Sequence, residues 1–293
     1  MNRQEFASKQ LIRKGWSKDK KYCLTKKDGT KYLLRISPPE LYEKKRAEFE
    51  RMERAAALGI PMCLPLEFGS CEEGVYSLQS FIEGEDAEEL LPSCTEKEQA
   101  AFGREAGRIL RKIHSIPAPE DQEEWEIYFN RKADFKIALY RECPVRFDGA
   151  EKMIDYLNAN RKSLQGRPQC YQHGDYHVGN MRITPERQLV IIDFDRDDYG
   201  DPWEEFNRIV WSAQCSPAFA GGMVDGYFGK DVPMEFWRLL ALYISSNLLG
   251  SIPWAIAFGQ SEIDTMLRQA AEIYSWYDGM QNIVPSWYRP AQG

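Results

Sequence analysis

The sequence predicts an α+β chain in two lobes: a small antiparallel sheet with one long helix in front, and a large, mainly helical part behind. Three observations carry this. Two hairpin signals fall within the first 82 residues. A helix-capping box at Thr95 then opens a stretch in which apolar residues recur at helical spacing. Finally, 43% hydrophobic and 13% aromatic residues over 293 positions suffice to bury a sizeable core.

In chain order, "KYCLT" and "TKYLLRIS" flank "KKDG", and an Asp-Gly pair between two such runs marks a hairpin. Pro38-Pro39 stops the second strand. A helix is expected from about Glu40 to Leu58, with Gly59 as its stop. "CLPLEFGS" and "VYSLQSFI" flank "CEEG" as a second hairpin. The front lobe is therefore placed at 1–82 and the rear lobe at 83–293, with a hinge at about 79–84 and a cleft between them. From Thr95, with Glu98 completing the capping box, Phe102, Ala106, Ile109, Leu110 and Ile113 line one helical face. Leu239–Gly259 is free of charge and long enough to span a bilayer. Its serines, Asn247, Gly250 and Pro253 favour a buried helix pair broken near Pro253 instead.

Seven cysteines occur without a Cys-x-x-Cys pair, which favours reduced thiols in a cytoplasmic protein over disulfides or zinc. The first residues lack the apolar core of a signal peptide. Residues 1–82 carry 16 Lys/Arg against 11 Asp/Glu, whereas the whole chain carries 38 against 45 and a net charge of −7. An acidic total disfavours nucleic acid as partner, and no membrane partner is expected. The basic front and acidic rear suit an anion in one and a cation in the other.

The chemistry concentrates in "QHGDYHVGNMRITPERQLVIIDFD", residues 172–195. "MRIT" and "LVII" read as strands joined by "PERQ", with Met181 opposite Ile192 and Asn180 opposite Asp193. An amide oxygen and a carboxylate side by side at the mouth of a hairpin suit a hard cation such as Mg²⁺. Asp175, on the loop before the hairpin, can accept a proton from an attacking hydroxyl. His173 can hold that loop by hydrogen bonds to backbone. Zinc-type ligation by His173 or His177 is the lesser alternative.

His173-Gly174-Asp175, then Asn180, then Asp193-Phe194-Asp195 resembles the catalytic loop and metal motif of the kinase superfamily. The glycine after His173, the "IDFD" and the following Gly200-Asp201-Pro202-Trp203 are similar to the aminoglycoside phosphotransferase family, which has choline-, homoserine- and sugar-kinase relatives. The resemblance implies a two-lobed protein-kinase-like fold, with a small antiparallel-sheet N-lobe and a large helical C-lobe. It implies an ATP- or GTP-dependent small-molecule kinase, with Asp175 as catalytic base or acceptor-orienting residue and His173 beside it. Asn180 and Asp193 would hold Mg²⁺. Arg35 stands where better-known members have lysine, and Glu48 is the helix glutamate that would orient it. Gly15, Ser17 and Lys18 would cover the phosphates, and Gln79, Phe81 and Ile82 would border the adenine. The acceptor would be a hydroxyl-bearing, cationic small molecule such as an aminoglycoside, amino sugar or amino alcohol, met by Asp197, Asp198, Trp254 and Glu262. A nucleotide-binding pseudokinase and a protein kinase are the competing readings. Against the latter, "GDPWEEF" follows the metal motif with no long activation loop.

Overall fold

A computed structural model of the chain describes residues 5–13, 19–229 and 231–289. The fold is α+β, and its residues group into two compact units. One runs to Leu90 and takes in Asn180–Asp197. The other comprises Leu91–Gly179 and Asp198 onward.

The first unit is built on a five-stranded antiparallel sheet: β1 (Phe6–Ile12), β2 (Lys20–Lys26), β3 (Lys31–Ser37), β4 (Pro65–Cys71) and β5 (Gly74–Ser80), in spatial order β1-β2-β3-β5-β4. Both expected hairpins are present. The first turns at Gly29, whose N–H donates to Lys26 O at 3.1 Å. β1 has no counterpart in the sequence reading, because its middle residues are exposed and lack an apolar alternation. Leu24, Leu34, Ile36, Tyr76 and Leu78 form the core on this sheet. Pro39 opens a 3₁₀ turn over Pro39–Leu41, so the long helix begins later than expected: α1 spans Tyr42–Ala56 and buries Glu48, Met52 and Ala55.

The link after β5 leads to β6 (Glu85–Asp86) and α2 (Ala87–Leu90). β6 pairs with β8 (Met181–Ile183), which pairs with β9 (Leu189–Ile191). Ile191 also donates its N–H to Pro61 O and accepts from Cys63 N, each at 3.0 Å. These backbone bonds tie 83–90 and the 180–197 hairpin to the N-terminal unit, whereas the sequence reading drew the line after residue 82. The hairpin register also differs from the expected one. Met181 faces Ile191, and Ile192 N donates to Asn180 O at 3.0 Å. The loop is one residue shorter than expected: Thr184 bonds Gln188, and Arg187 takes φ +62°. A three-residue loop closed by a left-handed residue does this, so Asn180 faces Ile192 and not Asp193.

The second unit is mainly helical: α3 (Glu96–Ile113), α4 (Trp125–Glu142), α5 (Ala150–Asn160), α6 (Ile209–Cys215), α7 (Pro217–Phe228), α8 (Met234–Ile256) and α9 (Gln260–Trp276). The Thr95–Glu98 capping box starts α3 as expected. α3 and α7 approach closely through glycines: a Cβ at Gly107 would lie 2.1 Å from Met223 O, and one at Gly226 2.1 Å from Arg104 O. α8 is one continuous helix rather than a pair broken at Pro253, which falls in its last turn and costs one N–H there. Among the described residues it is the one helix long and apolar enough to cross a membrane, and 67% of its most apolar window is buried in the protein. A short pair, β7 (Cys170–Gln172) with β10 (Asp198–Gly200), brackets the 173–197 segment in sequence.

Candidate active site

In the N-terminal unit, Arg35 of β3 is the hub. Its guanidinium donates to Asp193 Oδ1 at 2.6 Å, to Asp195 Oδ2 at 2.5 Å and to Asp19 Oδ2 at 3.1 Å. The side chain is only 6% exposed. Burial alone would lower its pKa, but the Asp193, Asp195 and Asp19 carboxylates outweigh that and hold it above its usual value. Asp19 is held below the ordinary carboxylate range: burial pushes it up, and the Ser37 hydroxyl at 2.7 Å with Arg35 and Lys45 pulls it down further.

Glu48 does not meet Arg35 directly. It points inward, as its helical face requires, but its carboxylate takes Lys45 at 2.8 Å and Lys44 at 3.8 Å. Lys45 in turn lies 3.6 Å from Asp19. The expected glutamate–arginine pair is thus replaced by a relay, Glu48–Lys45–Asp19–Arg35, because Asp19 is nearer the guanidinium. Burial raises the Glu48 pKa, and Lys45 opposes this. Lys21, opposite Arg35 across β2 and β3, is buried with its ammonium 3.8 Å from Asp193 Oδ2. A small cavity here is lined by Arg35, Ser37, Lys45, Glu48, Met52 and Asp195.

Asn180 and Asp193 flank the β8–β9 hairpin, and Asp193 adopts φ +68°, which turns its carboxylate out of the strand line toward Arg35. Four cations (Lys21, Arg35, Lys44, Lys45) stand among four carboxylates (Asp19, Glu48, Asp193, Asp195). The hard oxygen donors of Asn180 and Asp193 fit a divalent cation that takes one or two protein side chains and completes its shell from phosphates and water. Among the described residues no group of three or more His, Cys, Asp or Glu side chains forms a self-sufficient metal cluster.

In the helical unit, the loop after β7 carries Asp175. Glu205, fully buried, accepts from His173 N at 2.8 Å and from Gly174 N at 2.7 Å. Gly174 sits at φ +82°, a conformation that glycine adopts without a Cβ penalty. The His173 ring is buried edge-on to Tyr176, and its Nδ1 accepts from Asp175 N at 3.3 Å, the loop-holding role expected of it. Asp175 Oδ1 lies 3.3 Å from Arg208 Nε and 3.7 Å from His177 Nε2. Asp201 is a buried anchor: Arg167 donates to both its oxygens (2.6 and 2.8 Å) and the Tyr243 hydroxyl donates at 2.6 Å.

Gln79 is buried at the end of β5, and Phe81 and Ile82 lie half-buried in the irregular link that follows. Gly15, Ser17 and Lys18 lie outside the described residues. Of the expected acceptor residues, Asp197 is spoken for: its buried carboxylate receives Arg51 at 2.6 and 3.1 Å. Asp198 and Trp254 are exposed, Trp254 stacking on Phe258 at 4.4 Å, and Glu262 is half-buried on α9. Sequence reasoning missed Asp19, Lys21, Lys45, Asp195 and Glu205. Only Asp195 and Glu205 had a local signal, the second acid of "IDFD" and a glutamate next to a core phenylalanine.

A profile of the phosphotransferase enzyme family matches residues 9–239. An uncharacterized MG356 homolog from Mycoplasma pneumoniae is 21% identical over 250 residues, covering 85% of this chain and 77% of that protein. Among solved structures, a choline/ethanolamine kinase family protein from Mesorhizobium loti superposes with a TM-score of 0.67 at 16% identity, covering 95% of this chain and 92% of the other. Spectinomycin phosphotransferase, solved with ADP and spectinomycin, gives 0.64 at 16% identity, covering 92% and 90%. At such identities the likeness is one of fold.

Proposed function

This chain belongs to the phosphotransferase enzyme family, and from that premise we propose that it transfers the γ-phosphoryl group of ATP or GTP to a hydroxyl of a small molecule. The observation that carries the reading is the bond from Arg35 on β3 to Asp193. In kinase chemistry the β3 cation and the metal-motif carboxylate serve the same phosphates.

Asn180 and Asp193 would hold Mg²⁺, which when bound neutralises phosphate charge. Arg35 and Lys45 present cationic hydrogen-bond donors in the same unit, and positioning with charge neutralisation supplies most of the rate in such transfers. The acceptor hydroxyl forms the new O–P bond as the bond from phosphorus to the bridging oxygen breaks. The nucleoside diphosphate leaves, and the hydroxyl proton passes to the Asp175 carboxylate. His173 and Glu205 act through the loop backbone and position Asp175. The amine-bearing acceptors expected from the sequence lose part of their support with Asp197 engaged by Arg51.

The test is nucleotide consumption with Mg²⁺ across amine, neutral and anionic alcohols, with wild type and Asp175→Asn. The expected result is turnover that falls by about 10²–10⁴ in the variant while nucleotide binding is retained. Turnover unchanged in Asp175→Asn would remove that residue from the mechanism, and absence of nucleotide binding in wild type would overturn the kinase reading.

A further inference from the structure

Near Asp175, among the described residues, one lysine lacks a direct partner. Arg208 is paired with Asp175 at 3.3 Å and Lys132 with Glu204 at 3.2 Å. Lys136 follows Lys132 by one turn of α4, on the same face. Both Lys132 and Arg208 are near enough for their charge to act on it, as is Glu204. Yet among the described residues the Lys136 ammonium has no hydrogen-bond or ion-pair partner. Its stem runs across Gly250 of α8, where an added Cβ would come within 3.1 Å of Lys136 Cε.

Such a side chain is costly as a purely structural element. It is half-buried, crowded by two like charges, and Glu204, the one carboxylate within reach, is already hydrogen-bonded to Lys132. Burial, then Lys132 and Arg208, pull its pKa down to about 8, with Glu204 opposing, so it stays mostly protonated at neutral pH. Lys132 and Arg208 each hold a carboxylate, Glu204 and Asp175, whereas Lys136 holds none. Asp198 acts on Lys132 from the exposed start of β10. A half-buried ammonium with no direct partner, within reach of the arginine that holds the Asp175 carboxylate, is a mark of a ligand site.

We infer that Lys136, with Arg208 beside it, binds a carboxylate or phosphate group of the acceptor, so that the molecule phosphorylated is an anionic alcohol rather than a polyamine. The role as acceptor site rests on the kinase reading; the anion site itself does not. The inference reverses the charge expected from the acidic composition of the rear lobe, because net charge over 211 residues says little about the few side chains around Asp175.

The experiment follows the rate of acetylation of Lys136 in the full chain by mass spectrometry at constant ionic strength. The additives are glycerate, glycerol 3-phosphate, glycerol, choline and, separately, ATP. At least tenfold slowing by glycerate or by glycerol 3-phosphate is expected, and the two distinguish a carboxylate from a phosphate. Glycerol and choline should have no effect. Lys136→Met should lose the thermal stabilisation that the protecting anion gives wild type, while its own unliganded Tm is equal or higher, since a crowded cation has gone. A merely structural lysine would instead lower that Tm. Labelling indifferent to every anion, slowed equally by choline, or slowed by ATP alone would overturn the inference. Protection by an anion in a chain that consumes no nucleotide would leave the anion site standing and sink the kinase reading.

Discussion

Arg35 shows what one side chain does when three carboxylates converge on it. A guanidinium offers five donors in a fixed fork, whereas an ammonium is a point charge. Arg35→Lys should therefore leave at least one of Asp19, Asp193 and Asp195 unserved. Nucleotide affinity is expected to fall about tenfold, with a loss of stability on the order of 2–3 kcal/mol, below the roughly 3–5 kcal/mol for removing a buried charge partner outright. Isothermal calorimetry and chemical denaturation measure the two. Asp19 gives the pH counterpart. Its folded pKa lies below its unfolded value, so its contribution is present above about pH 4 and is lost as pH falls through the folded pKa. Asp19→Asn should accordingly be less stable at neutral pH and lose less stability on acidification than wild type does, as read from urea midpoints between pH 6 and pH 3.

At the scale of an element, the 173–180 loop depends on a residue 31 and 32 positions along the chain from the two it holds. Glu205 accepts two backbone N–H groups there, at His173 and Gly174, and lies 3.3 Å from His114 Nε2. Charged hydrogen bonds of this kind are each worth about 1.5–3 kcal/mol. Glu205→Gln keeps the shape but weakens one acceptor. The expected outcome is kcat reduced about ten- to a hundredfold, as roughly 1.4–2.8 kcal/mol would give, with nucleotide Kd unchanged. A rise in Kd with kcat intact would deny Glu205 its positioning role. The same scale explains two departures from the sequence reading. A turn one residue shorter, closed at Arg187, moved the β8–β9 register by one. A proline in the last turn of α8 removed one N–H without ending the helix.

For the whole molecule, the division of the chain is the instructive feature. Residues 180–197 group with the N-terminal unit although 91–179 do not. Native-state hydrogen exchange checks this. The amides of β8 and β9 should share the protection of β5 and lose it together in denaturant, apart from β7. Protection of β8 and β9 that follows β7 instead would contradict the grouping.

By itself the sequence determined the hairpins, the α3 capping box, the helical rear, and a motif from His173 to Asp195 specific enough to name the family. These signals are short-range: turn chemistry, caps and periodicity act over a few residues. Only the tertiary structure decided that Arg35 meets Asp19, Asp193 and Asp195, that Glu48 reaches it through Lys45, that Glu205 holds the Asp175 loop, and that Lys136 has no ion-pair partner of its own among the described residues. Ion pairing is decided by which charges burial brings within a few ångströms, and those residues lie from 3 to 160 positions apart in the chain.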